Sequence, residues 1–175
     1  MGETLYIIGQ IFGMIAILLG FISYQMRTQR QILLVQSATA VVFCVHYCLI
    51  GAFSAMAMNA VNILRNFVYD RRNKKQKKDW ITPTAFAIIQ AIACALTWEN
   101  WYSVFVFVGI VTNTVCMSFS DPQAVRKSVV VTSPLILTYD IFAGSIGGSI
   151  YESVAGISAF VGIVRHRKQK NNITQ

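Results

Sequence analysis

The sequence predicts an all-α integral membrane fold: seven transmembrane helices arranged as two parallel three-helix repeats joined by one linker helix (3+1+3). Three observations carry this expectation: long uncharged runs, strict alternation of basic and non-basic connections, and self-similarity at an offset of 93 residues. Of the 175 residues, 55% are hydrophobic and only 22 are charged, 15 Lys or Arg and 7 Asp or Glu, about half the roughly 25% charged share of a soluble domain. Such a composition cannot cover a soluble surface. It excludes a secreted disulfide scaffold, a disordered chain and a soluble globular enzyme.

Residues 4–26 contain no charge, nor do residues 31–64, and a spanning helix takes about 20 residues. The first run is one helix, 4–26. The second is two, 31–50 and 53–70, broken at Ile50-Gly51-Ala52-Phe53-Ser54, where glycine and small residues let the chain turn back. After a basic stretch, residues 80–98 and 100–120 give helices four and five. They are divided by Trp98-Glu99-Asn100-Trp101, whose tryptophans suit a membrane interface. Residues 128–164 carry only Asp140 and Glu152, and Gly144-Ser145-Ile146-Gly147-Gly148 splits them into helices six and seven. Pro122, after Asp121, is expected as the first residue of a capped helix. The organisation is a first three-helix bundle (4–70), a basic cytoplasmic loop and linker helix (71–98), a second bundle (99–164) and a basic cytoplasmic tail (165–175).

Charge placement sets the orientation. Arg27 and Arg30 follow helix one, Arg71 to Lys78 follow helix three, Arg126 and Lys127 follow helix five, and Arg165 to Lys170 follow helix seven, while the intervening connections hold no Lys or Arg. By the positive-inside rule the N-terminus is outside and the C-terminus cytoplasmic. The net charge of +8 is therefore orientational, and nucleic acid is not an expected partner; the lipid bilayer is. The start, Met1-Gly2-Glu3-Thr4, lacks the basic region of a cleavable signal, so helix one is expected to be retained. Arg65 lies near the basic end of helix three and is expected to snorkel to the interface.

At the offset of 93, Gly51 falls on Gly144, Phe12 on Phe105, Val61 on Val154 and Arg72 on Arg165, and helices one to three fall on helices five to seven without gaps. Two units of equal orientation need one extra crossing between them, which helix four supplies.

Gly20-Phe21-Ile22-Ser23-Tyr24-Gln25, His46-Tyr47 before Gly51, Asn59, and above all Ala143-Gly144-Ser145-Ile146-Gly147-Gly148 followed by Glu152 resemble the YgjV-type bacterial inner membrane proteins. The resemblance covers nearly the whole chain. It implies a multipass protein of the bacterial inner membrane and no particular chemistry. The 3+1+3 plan is also architecturally similar to SWEET and PQ-loop transporters, although Tyr24-Gln25 stands where those proteins have Pro-Gln. SWEET-type transporters place an Asn of the third helix of each repeat at the sugar, which here implies Asn59 and, by substitution, Glu152. A carboxylate in place of an amide favours a cationic or amine-bearing solute over a neutral sugar.

Ionisable groups within a bilayer need a partner, a wet cavity or an interface. Asp140 and Glu152 are the two that orientation leaves unexplained. The offset pairs Glu152 with Asn59, and Tyr139-Asp140 with His46-Tyr47. One reading is a polar chamber in the outer half, with Asn59, Asn62, Glu152, His46, Tyr139 and Asp140 as substrate-binding candidates. The other puts Asp140 and Glu152 in the outer interface, bonded to backbone near the glycine-rich turn, with His46 a packing residue. Asn59, Asn62, Arg65 and Asn66 fall mostly on one helix face, either lining a cavity or joining helices. Gln10, Gln36 and Asn113 are weaker candidates of the same sort. Gly9, Gly13, Ala16 and Gly20 form a small-residue surface for internal packing or for a homo-oligomer.

The function expected is a facilitator or transporter of a small polar or cationic solute, by alternating access between the two bundles. The alternative is a non-transporting binding or sensory protein. No metal, cofactor or catalytic arrangement is expected: the chain has no P-loop, dinucleotide, zinc or nucleophile-elbow motif.

Overall fold

The computed structural model describes residues 2–25, 29–74, 79–119 and 122–173. Among them the chain forms seven α-helices and no strand: α1 (Glu3–Gln25), α2 (Gln29–Ile50), α3 (Phe53–Lys74), α4 (Ile81–Leu96), α5 (Ser103–Met117), α6 (Pro122–Phe142) and α7 (Ile146–Ile173). Arg27, the lysines at 75–78 and Asp121 lie outside the described residues. Pro122 opens α6, where its missing N–H is one of the orphan donors of a first turn.

Apolar length and helix length differ in both directions. Helix α3 runs on through Arg71, Arg72 and Lys74, α6 starts six residues before the uncharged run, and α7 continues through the basic residues to Ile173. Lys and Arg are good helix formers and no glycine or proline intervenes, so hydropathy marks the apolar part and not the helix end. Helices α4 and α5, at 16 and 15 residues, rise only about 24 and 22 Å, short of a hydrocarbon layer of about 30 Å. The residues lost between them form a polar loop that serves α3, described below. Among the described residues two helices carry an 18-residue window long and apolar enough to cross a membrane, Glu3–Gly20 and Leu33–Ile50, while Ile81–Leu96, Ser103–Met117 and Ile146–Val161 are shorter apolar stretches.

Six helices close a ring. Helix α1 packs on α2, α2 on α3, α3 on α5, α5 on α6, α6 on α7, and α7 back on α1, while α4 lies outside against α3 and α5. The surface is apolar, with Leu18, Leu64, Leu96 and Ile157 all more than 60% exposed. The interior includes His46, Gln90, Thr114 and Asp140 with no exposure at all, beside Ala16, Phe43, Met58 and Val106. A water-soluble domain sorts its residues the other way.

Helices α2 and α6 end alike. At Gly51, with φ 81°, and Gly144, with φ 69°, the chain enters the left-handed region that glycine occupies without a Cβ clash. The Ala52 N–H donates to the Tyr47 carbonyl and the Gly51 N–H to that of Cys48; likewise the Ser145 N–H donates to Asp140 and the Gly144 N–H to Ile141. Both are Schellman motifs, and Tyr47 and Asp140 hold the same position in them.

The small-residue face of α1 is used within the chain. Gly9 abuts Leu49 and Ile50, Gly20 abuts the Tyr151 ring, and Gly13 lies against the Gly147 backbone of α7.

Candidate functional site

Helix α3 brings four polar side chains to the inside of the ring. Asn59, Asn62, Arg65 and Asn66 all line a cavity of about 100 Å³ bordered by α2, α3, α5, α6 and α7. Helix α2 adds Gln36 and Thr39, α5 adds Asn113, and α7 adds Tyr151 and Glu152. Asn59 and Glu152 are each the seventh residue of a helix that starts just after a left-handed glycine. Both therefore enter the cavity about 9 Å along their helices, at 1.5 Å per residue. The Asn59 Nδ2 donates to the Ala55 carbonyl at 2.9 Å, fixing the amide against its own helix.

Arg65 departs from expectation. It does not snorkel; it is 4% exposed and faces inward. Its Nη1 donates to Thr114 Oγ1 at 2.8 Å, and its Nε and Nη2 donate to Asn66 Oδ1 at 3.3 and 3.0 Å. The physical reason is that α5 and α3 supply acceptors at bonding distance, and the cavity beside them spares the guanidinium a dry interior. Gln90, from outside the ring, completes the cluster by donating to Asn62 Oδ1 at 3.2 Å and Thr114 Oγ1 at 2.9 Å. The polar stripe of α3 thus both lines a cavity and joins helices.

At the glycine-turn end, Tyr47, which also borders the cavity, donates its hydroxyl to Asp140 Oδ1 at 2.7 Å. Asp140 is fully buried, and its Oδ2 has no hydrogen-bond partner among the described residues. It is therefore not an interfacial carboxylate. His46 is fully buried too, with Nδ1 2.7 Å from the Gly9 carbonyl and Nε2 2.7 Å from Ser145 Oγ. A carbonyl only accepts, so Nδ1 carries a proton; Ser145 Oγ in turn accepts the Gly148 N–H at 3.0 Å as the cap of α7. This satisfied histidine ties α1, α2 and the α6–α7 turn together.

The first turns of α3 and α7 leave backbone donors without helical partners. For α7, Gln10 Oε1 accepts from Ile146 and Gly147 at 3.1 and 3.2 Å. For α3, Glu99 Oε1 accepts from the Ser54 N–H at 3.0 Å, and the Tyr139 hydroxyl accepts from Ala55 at 3.3 Å. A carboxylate at a helix N-terminus is favoured by the helix dipole. This is what the polar loop between α4 and α5 does.

Of the residues singled out in the sequence, Asn59, Asn62 and Glu152 meet at the cavity; His46, Tyr139 and Asp140 do not border it and form the bonded layer above it. Cys44 donates to the Met56 carbonyl at 3.5 Å. Sequence reasoning missed Glu99, Thr114 and Gln90. A lone amide in the otherwise apolar α4 was the available signal for Gln90; nothing local distinguished Thr114.

A ring of helices apolar outside and polar at its centre suits a helical membrane protein. The family model of the YgjV-type bacterial inner membrane proteins matches residues 7–170. The chain belongs to that family. No curated protein and no solved structure gives a match.

Proposed function

We propose that this inner membrane protein is a multipass facilitator or transporter of a small polar solute, working by alternating access of two three-helix bundles around the central cavity. The observation that carries it is the cavity itself: a polar chamber with Asn59 and Glu152 at equal depth, roofed on the glycine-turn side by the Tyr47–Asp140 bond. Ionisable groups at the centre of a membrane bundle are by default candidates for a solute pathway, and transporter sites lie near the bilayer midplane between repeats.

In this reading α1–α3 and α5–α7 are parallel repeats, as in SWEET-type transporters, and α4 is the linker. Support comes from the matching glycine turns 93 residues apart and from the neighbour order, in which exchanging α1 with α5, α2 with α6 and α3 with α7 maps α1–α7 onto α5–α3. The basic ends of α3 and α7 face the cytoplasm and the N-terminus is outside. Pro134 opens a site for bending in α6 whose counterpart in α2 is Val41, so the two bundles would not bend alike.

The test is uptake of a panel of small labelled polar solutes into liposomes containing the purified chain. At least one solute should move in a saturable way, and Glu152→Gln and Asn59→Ala should each reduce its flux by tenfold or more. Unchanged flux in both variants would remove the site assignment. Saturable binding without flux would favour the non-transporting binding or sensory protein.

A further inference from the structure

The cavity holds two opposite charges in a bed of amides. Glu152 borders it near the roof, and Arg65 borders it six residues beyond Asn59 along α3, about 9 Å deeper. Their long side chains shorten that span from both ends. Arg65 and Glu152 are not within salt-bridge distance, the paired Arg72 and Asp79 lying elsewhere, so they do not neutralise each other directly. Three of the five Arg65 donors go to Asn66 and Thr114, neutral partners that hold the guanidinium in place without cancelling its charge. Asn62 and Asn113 lie around the cavity and add donors and acceptors.

We propose that the cavity binds a small zwitterion, its ammonium end at Glu152 and its anionic end at Arg65. This rests on the transport reading for its setting and names the class of solute. A free cation would meet the Arg65 charge in the same chamber, and a free anion would meet Glu152; a molecule carrying both signs satisfies both walls and adds no net charge to a low-dielectric site. Size points the same way. At about 100 Å³ the chamber lies far below the roughly 300–1,000 Å³ of sites for drug-sized ligands, which favours a ligand as small as glycine or β-alanine. A fixed, pre-oriented guanidinium fork suits a carboxylate in particular.

The experiment is thermal unfolding of the purified full chain in detergent with glycine, β-alanine, methylammonium, acetate or glycerol at equal concentration, since a ligand that binds the folded state raises its unfolding temperature. The amino acids should raise it in a saturable way, with methylammonium, acetate and glycerol at least tenfold weaker. Glu152→Gln and Arg65→Gln should each weaken amino-acid binding tenfold or more, and Arg65→Lys should retain part of it. If Arg65→Gln does not fold, the wild-type ligand series and Arg65→Lys still decide. Equal shifts with methylammonium alone, or amino-acid binding unaltered by Glu152→Gln, would overturn the proposal. Liposome flux separates the two readings: a zwitterion bound but never moved would sink transport and leave this inference standing, while a neutral polyol moved without zwitterion binding would do the reverse.

Discussion

Tyr47 and Asp140 are 93 residues apart, occupy the same position in two Schellman motifs, and are joined hydroxyl to carboxylate at 2.7 Å. Each has its backbone carbonyl engaged by its own turn, so the turns fix both ends of the bond. The link closes the cavity on the glycine-turn side.

Removing the hydroxyl tests what the link holds. With Tyr47→Phe, Asp140 loses the partner of Oδ1 while Oδ2 already has none among the described residues. Leaving a buried acceptor unpaired costs about 1–3 kcal/mol. Thermal unfolding in detergent should show Tyr47→Phe lowered by several degrees and Asp140→Asn, whose amide oxygen still accepts from Tyr47, lowered less. The reverse order would mean that the carboxylate charge, not the bond, governs this layer.

A methyl group at the α1–α7 contact should be poorly tolerated. A Cβ on Gly147 would lie 2.5 Å from Gly13 Cα and 2.8 Å from its carbonyl carbon, and backbone cannot step aside as a side-chain tip can. Overpacking of this kind costs about 1–3 kcal/mol or forces the helices apart. Gly147→Ala should therefore lower the yield of folded protein and its unfolding temperature, while Ala159→Gly, on the same helix, should cost about 1 kcal/mol through propensity and lost packing. Unchanged or raised stability in Gly147→Ala would show that Gly147 is ordinary helix.

Glu99 offers a graded test of helix capping. Glu99→Ala leaves the Ser54 N–H without its 3.0 Å acceptor and should cost about 0.5–2 kcal/mol, whereas Glu99→Gln keeps an oxygen and loses only the dipole interaction, about 0.3–1 kcal/mol. Limited proteolysis of the loop between α4 and α5 is the readout. Faster cleavage in Glu99→Ala than in Glu99→Gln is expected; equal rates would assign the loop's order to something else.

Orientation is checked with single cysteines in a chain whose Cys44, Cys48, Cys94 and Cys116 are replaced by alanine. A cysteine at exposed Asn100 should react in intact cells with a membrane-impermeant maleimide, and one at exposed Lys127 should react only after lysis. The opposite pattern would invert the assigned topology.

Helix number and the sites of reversal were legible because glycine turns and charge runs are local signals. The joining of Asn59, Asn62 and Glu152 was legible too, because helical spacing and the 93-residue offset constrain depth and face. Arg65 was misplaced by a rule suited to an isolated helix, in which a long cation near a helix end reaches for water. Its acceptors, Thr114 and Asn66, include one 49 residues away that no local pattern reveals. For His46, Tyr139 and Asp140 the recurrence of polar residues at one depth left a chamber and a packing or interfacial role both open. Depth alone does not say whether such groups face a cavity or bond within the protein, and here His46 bonds Gly9 and Ser145, Tyr139 bonds Ala55, and Asp140 bonds Tyr47. The break at Trp98-Glu99-Asn100-Trp101 was legible, but its length was not: the loop extends to Tyr102, and the engagement of Glu99 with α3 is a contact 45 residues away that no local pattern reveals.

The Gly13–Gly147 contact also sets an order of assembly. The first helix and the last are neighbours, so during synthesis Gly9 of α1 meets α2 early, while Gly13 and Gly20 stay without Gly147 and Tyr151 until α7 has entered the bilayer. The wall that carries Glu152 arrives with the same step. Until then the ring stays an open arc, and the cavity lined by Asn59, Asn62 and Arg65 lacks its last wall.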